Sequence, residues 1–187
     1  MVAEKKTFHA AVNFYENTAG GCGSNFQKEG FIKNPKVALV QKGVYHDYLV
    51  SPRGAAEYDI PCNGAESNEM MTALEMSAGH LRADDILKEL DTGVYINNTW
   101  YLNFSDLAAC RLTGMTRFAT FWVENGKIVA PLNVMRFDET AYRMLGENLI
   151  GITQERDFMM SDNTYVQRNA DSMHLPGILV KDFQFTL

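Results

Sequence analysis

Residues Arg111 to Asp138 read R-L-T-G-M-T-R-F-A-T-F-W-V-E-N-G-K-I-V-A-P-L-N-V-M-R-F-D, and this stretch decides the fold. Asn125-Gly126 lies between two runs rich in β-branched and aromatic residues, and the pair suits a type I′ turn, whose central positions both need positive φ. A two-residue loop sets Glu124 opposite Lys127. One face then collects Arg117, Ala119, Phe121 and Val123 against Val134, Leu132, Ala130 and Ile128, the expected core side. The other collects Thr116, Phe118, Thr120 and Trp122 against Met135, Asn133, Pro131 and Val129. That second face is too apolar to be left in water and too mixed for a plain core. Phe118, Trp122, Val129 and Met135 are therefore expected interface residues.

Around this hairpin, 187 residues suffice for one well-buried domain, expected to span 1–187. The net charge of −6, with no Lys/Arg block, argues against direct nucleic-acid binding. No apolar run reaches the roughly 20 residues of a membrane helix, and the N-terminal residues lack the apolar core of a signal peptide. The expectation is a soluble, cytoplasmic chain with no membrane partner. Cys22, Cys62 and Cys110 are widely spaced and form no C-x-x-C pair, so free thiols are expected.

Along the chain, alternation from Thr7 to Tyr15 reads as a half-buried strand. Three glycines within Gly20 to Gly23 make a loop. Lys42-Gly43 separates Val37–Gln41 from Val44–Val50 as a second hairpin, and Ser51-Pro52 reads as N-cap and N1 of a short helix through Glu57. Ala73 to Gly79 favours a strand. Ala83 to Leu90 carries helical spacing with Gly93 as its stop, and Val94 to Phe104 is strand-like, followed by a polar break at Ser105-Asp106. Glu139 to Leu149 is expected to be helical and Ile178 to Leu187 a closing strand. The fold class is α+β, mainly β, with a largely antiparallel sheet or a barrel-like domain.

Chemistry is sparse. The four histidines are scattered, with no second His three or four residues from any of them, so the chain alone offers no metal site. Cys110 is the best nucleophile candidate because the neighbouring Arg111 favours its thiolate; a small buried cysteine is the plainer reading. No G-x-S-x-G turn occurs, and the glycine loop lacks the Lys-Ser/Thr of a P-loop. Recognition features are richer. Asn97-Asn98-Thr99-Trp100-Tyr101 and Arg111-Leu112-Thr113-Gly114-Met115-Thr116-Arg117 border strands, and an exposed edge beside them suits an added peptide strand. Asn97, Asn98, Trp100, Arg111, Thr113, Thr116 and Arg117 form the candidate peptide-binding set. Against it stand simple packing of the aromatics, a turn at Asn97-Asn98, and pairing of the arginines with Asp106 or Asp138.

Several stretches resemble the C-terminal region of the TldD/PmbA family, metallopeptidase-related proteins also described as modulators of DNA gyrase. They are G-G-C-G-S-N-F-Q-K-E-G-F (Gly20 to Phe31), L-V-S-P-R-G-A-A-E-Y (Leu49 to Tyr58), G-V-Y-I-N-N-T-W-Y-L-N-F-S-D (Gly93 to Asp106), the E-N-G hairpin with its Pro131 strand, and L-P-G-I-L-V-K-D-F-Q-F-T-L at the end. The resemblance implies the second region of a two-region protein whose catalytic members carry an H-E-x-x-x-H helix upstream and a zinc-binding Cys near the C-terminus. Neither is present: no His precedes a Glu, and Arg168 to Ser172 stand where that Cys belongs. The likeness is closer to the PmbA/TldE type, implying a homodimer or heterodimer with a TldD/PmbA-type subunit, an unfolded peptide substrate, and zinc only in a full-length catalytic partner. A hydrolase using Cys110 or an unforeseen metal site, and a small-ligand-binding β-barrel, are the alternatives.

Overall fold

The structure, a computed structural model, describes Met1 and residues 5–186. In chain order its elements are β1 (Phe14–Glu16), β2 (Val37–Gln41), β3 (Val44–Tyr45), α1 (Pro52–Tyr58), β4 (Ala73–Met76), α2 (Ile86–Leu90), β5 (Gly93–Ile96), β6 (Thr99–Asp106), β7 (Arg111–Thr116), β8 (Thr120–Glu124), β9 (Lys127–Pro131), β10 (Arg136–Thr140), β11 (Leu149–Met160), β12 (Ser172–Val180) and β13 (Phe185–Thr186). Single 3-10 or π turns occur at Thr18–Gly20, Ala83–Asp85 and Arg143–Glu147. The strands form three open, largely antiparallel sheets, ordered β11-β12-β4-β1-β2-β3, β13-β10-β7-β6 and β5-β8-β9. The mainly β class holds, but the described strands close no barrel. The chain gathers into two compact units: residues 1–5, 10–78 and 156–176, and residues 6–9, 79–155 and 177–187.

In the first unit β1 is central, antiparallel to β2 on one side and β4 on the other, while β12 joins β4 in parallel with Ser172 opposite Ala73. The Lys42-Gly43 turn forms as its residue types require, with φ of 48° and 76°. Val37, Leu49 and Ala65 pack as a core cluster with Leu39 against it. The strand expected from Thr7 is regular only from Phe14, because His9 N donates to Leu145 O and commits that earlier segment to the other unit. Ser51 caps α1 as read: its hydroxyl accepts from Gly54 N at 3.0 Å. Ser51 N and the Ser51 hydroxyl each donate to Glu69 Oε1 at 2.9 Å, and these two bonds, the backbone one first, hold the Glu69 carboxyl below its ordinary range.

Two buried charges organise this unit. The Glu16 carboxylate, 5% exposed, accepts from Thr72 N, Ala73 N and the Thr72 hydroxyl, fixing the start of β4. Lys33 is also buried and pairs with Glu66 at 2.6 Å. Buried charges persist only when partnered in this way. Nearby, burial pushes the Glu75 carboxyl up. Hydrogen bonds from Lys36 and Asn17 and the charges of Lys36 and Arg156 outweigh that, so it titrates below its ordinary value.

The second unit contains the opening hairpin. The turn at Asn125-Gly126 has φ of 50° and 71°, and Glu124 lies opposite Lys127 and Val123 opposite Ile128, as expected. Beyond Val123 the register slips: Trp122 faces Ala130 and Phe121 faces Pro131, leaving Val129 as the extra residue of a bulge. The expected faces are corrected accordingly, since one added residue reverses the parity of β9 and puts Ala130 rather than Val129 beside Trp122. At the base Thr116 N donates to Met135 O at 2.9 Å and Met115 lies opposite Arg136, which is again the register set by the turn. Arg117, Phe118 and Ala119 form a corner between β7 and β8, with Ala119 at φ 55°, and this added residue on the other strand cancels the bulge. The hairpin is thereby divided between two sheets.

Other expectations in this unit are corrected. The segment 94–104 is interrupted at Asn97-Asn98, so β5 and β6 join different sheets. Ser105 and Asp106 continue β6 rather than ending it, and the chain turns at residues 107–110. A 3-10 turn precedes α2, and Asp91 at φ 54° stops it before Gly93. The helix expected over Glu139 to Leu149 is strand β10 followed by one π turn, in which Gly146 leaves helical geometry. Glu139 is nearly fully buried and accepts from Thr140 N, Arg143 and Gln184 N; the burial and the bond from distant Gln184 are what a solvent-facing helical glutamate would lack. The closing strand is represented by the end of β12 and by β13; Leu187 lies outside the described residues.

Glu16→Ala strips three donors of their acceptor and should cost about 2–3 kcal/mol in urea unfolding; a loss well below about 1 kcal/mol on that scale would show that the clamp is dispensable. Because the folded Glu75 pKa lies below the unfolded value of 4.5, its contribution is present above that pH and is lost as pH falls through the folded pKa. Glu75→Gln should flatten the acid limb of stability against pH, and an unchanged limb would exclude this role.

Candidate functional site

Strand β6 forms one edge of the β13-β10-β7-β6 sheet, and all eight of its residues are exposed. Trp100, Tyr101, Leu102 and Phe104 are among them, with Leu107 following. Such an edge combines unpaired backbone groups with apolar side chains, a surface that folded proteins ordinarily cover or blunt. Its backbone is bent. Trp100 lies opposite Met115 and Asn103 opposite Thr113, so Tyr101 and Leu102 together face Gly114, with Tyr101 at φ 57°. Gly114 is required there, since a Cβ at that position would lie 2.7 Å from both Leu102 Cδ2 and Phe137 Cζ.

At the start of β6 the Arg117 corner packs beside it. Arg117 N donates to Asn98 O at 3.0 Å, Arg117 O accepts from Thr120 Oγ1 at 3.0 Å, and Asn97 N donates to Ala119 O at 3.2 Å. The Arg117 guanidinium lies over Trp100, 4.2 Å from the ring centroid, and 5.2 Å from that of Phe118. Contacts of this kind are worth about 0.5–1 kcal/mol at exposed sites.

The structure thus brings Asn97, Asn98, Trp100 and Arg117 together and adds Phe118 to them. Arg111 stands at the far end of β7, where Asp138 lies 3.9 Å from its Nε, the carboxylate pairing weighed from sequence. Thr113 donates its hydroxyl to Phe137 O, and Thr116, 1% exposed, accepts from Met135 N; both hydroxyls are used within the sheet. Of the interface candidates, Phe118 and Val129 are exposed, while Met135 is half-buried. Trp122 is half-buried in the central strand β8, its indole donating to Glu124 at 2.7 Å. Cys110 sits half-buried in the β6–β7 turn at φ 50°, and among the described residues no base contacts its sulfur. Leu102 and Phe104 belong to the same edge but were not singled out in the sequence, and Tyr101 was named in the recognition stretch without entering the candidate set. The β-run itself signals them, although only strand order shows that it is an edge.

Fold and site define a β-rich domain of open sheets with an exposed, apolar edge strand. A family model described as the PmbA/TldA metallopeptidase C-terminal domain matches residues 3–187, and the chain belongs to that family. Among solved structures, TldE from Thermococcus kodakarensis superposes with a TM-score of 0.81 at 15% identity, covering 100% of this chain and 42% of that one. A protein assigned as a candidate modulator of a DNA gyrase from Thermotoga maritima gives 0.75 at 15% identity, covering 97% and 41%. A similarly described protein from Bacteroides thetaiotaomicron gives 0.70 at 14%, covering 97% and 38%. These likenesses concern the fold, and the chain spans about two fifths of the length of the structures it matches. No curated protein sequence matches it. Among the described residues no three His, Cys, Asp or Glu side chains gather as ligands for the metal that the family's description implies. No helix among them is long and apolar enough to cross a membrane.

Gly114→Ala should force Leu102 and Phe137 apart at a cost of about 1–3 kcal/mol. Chemical denaturation measures it, and a neutral result would mean that the bulge accommodates a methyl group.

Proposed function

We propose that this chain serves as a non-catalytic C-terminal domain in a cytoplasmic TldD/PmbA-type assembly, holding an extended, unfolded peptide along β6 and meeting another subunit through the Phe118, Trp122, Val129 and Met135 region. The observation carrying the reading is the β6 edge, eight residues long and exposed at every position. An added strand would take main-chain hydrogen bonds from it, while Trp100, Leu102 and Phe104 supply apolar contacts. Zinc, and any peptide cleavage, would belong to a catalytic partner subunit, because this chain brings together no ligand set among its described residues. Cys110 hydrolysis finds no supporting base. The depression in the first unit bordered by Val37, Leu49, Lys33 and Glu66 has its charges already paired, Lys33 with Glu66, which gives a ligand-binding barrel no support either.

Leu102→Lys combined with Phe104→Lys should weaken binding of a fluorescent unfolded peptide by at least about tenfold while leaving the circular dichroism spectrum intact; equal affinity would remove β6 from the reading. Phe118→Glu with Val129→Glu should reduce assembly mass on light scattering with a TldD-type subunit, and an unchanged mass would displace the interface from this face.

A further inference from the structure

Arg117 is an exposed cation with no anion beside it among the described residues. Arg136 and Arg168 share that lack, whereas Arg111 is met by Asp138, Arg143 by Glu139, Arg82 by Asp84 and Asp85, and Arg156 by Glu75; what sets Arg117 apart is its seat on two exposed rings. Among the described residues Arg117 has neither an ion pair nor a side-chain hydrogen bond, and its guanidinium rests over Trp100 and Phe118. In a chain of net charge −6 an intramolecular carboxylate would be easy to supply, yet this corner lacks one. Its main chain is held from both sides, by Asn98 O and by the Thr120 hydroxyl, so the side chain projects from a fixed base. Trp100 and Phe118 are 54% and 62% exposed, giving the cation apolar walls. The side-chain amides of Asn97 and Asn98 likewise make no hydrogen bond among the described residues. A guanidinium so supported has five N–H donors in a planar fork whose natural complement is a carboxylate.

We propose that the Arg117 corner is a carboxylate-binding subsite at the start of β6, selecting extended peptides in which an Asp or Glu side chain, or a terminal carboxylate, is flanked by apolar residues. The carboxylate takes the Arg117 fork and the free amides of Asn97 and Asn98, while its apolar neighbours lie against Trp100 and Phe118. This rests on the peptide-holding reading and adds charge selectivity to it. Pairing would raise affinity through charge-assisted hydrogen bonds beside low-dielectric aromatic surface.

The test is fluorescence anisotropy with C-terminally amidated peptides of one apolar sequence carrying Glu, Gln or Lys at the centre, plus the Gln peptide with a free C-terminus. The Glu peptide should bind about tenfold more tightly than the Gln peptide, and the Lys peptide should bind more weakly still. Arg117→Gln should make the Glu and Gln peptides equal, and Arg117→Lys should retain only part of the preference, since an ammonium lacks the fork. Circular dichroism of both variants checks that the fold persists. Tighter binding only of the free-carboxyl Gln peptide would assign the subsite to chain termini, within the proposal. Equal binding of the Glu, Gln and free-carboxyl Gln peptides by the unmodified chain would overturn the subsite but leave peptide holding in place; no binding of any peptide would overturn both. Self-association of the chain that Arg117→Gln abolishes would make a second copy the occupant and would also overturn it.

Discussion

Two local irregularities of opposite sense govern the second unit. The bulge at Val129 adds a residue to β9, and the Arg117–Ala119 corner adds one on the other strand, so the register set by the Asn125-Gly126 turn returns at Thr116 and Met135. Were either present alone, every side chain of β7 would change face relative to β10. Phe137, buried against Gly114, would then point to solvent, and Thr116 would lose its place in the core. Bulge and corner therefore act as a pair, and the corner that restores register also carries Arg117.

The β6 edge gains its character from the same arrangement. The chain break at Asn97-Asn98 sends β5 to one sheet and β6 to another, and the corner opposite it does the same for β7 and β8. Hydrogen bonds from Arg117 N to Asn98 O and from Asn97 N to Ala119 O tie the two breaks together. Without the two breaks the two sheets would be one long ribbon, and Trp100 would sit in the middle of a ladder rather than near an end. Family membership rests on the sequence match, while the solved relatives, at about 15% identity, supply the fold.

Legibility of these features in the sequence followed the range of the interactions involved. Both hairpin turns, the Ser51 cap and the Asp138 partner of Arg111 depend on neighbouring or in-register residues, and they could be read directly. The bulge could not, because its cause is the fit of β9 against β8, although Pro131, which has no N–H for a ladder, hinted at irregular pairing. Glu139 to Leu149 has helical spacing, yet the burial of Glu139 against Gln184 N draws its first residues into β10. Of the candidate site, Asn97, Asn98, Trp100 and Arg117 were identifiable as polar and aromatic residues at strand borders. Their separation from Thr113 and Thr116, whose hydroxyls are consumed inside the sheet, depends on the strand order.

The parallel join between β4 and β12 carries a consequence for biosynthesis. Ser172 N donates to Thr72 O and lies opposite Ala73, so the first unit completes its sheet only with residues that follow almost the whole second unit in the chain. A nascent chain therefore needs about a hundred residues beyond β4 before that strand can gain its second flank, and pairings of such sequence separation form slowly. The contacts of the Glu16 carboxylate with Thr72 and Ala73 at the start of β4 require none of those later residues.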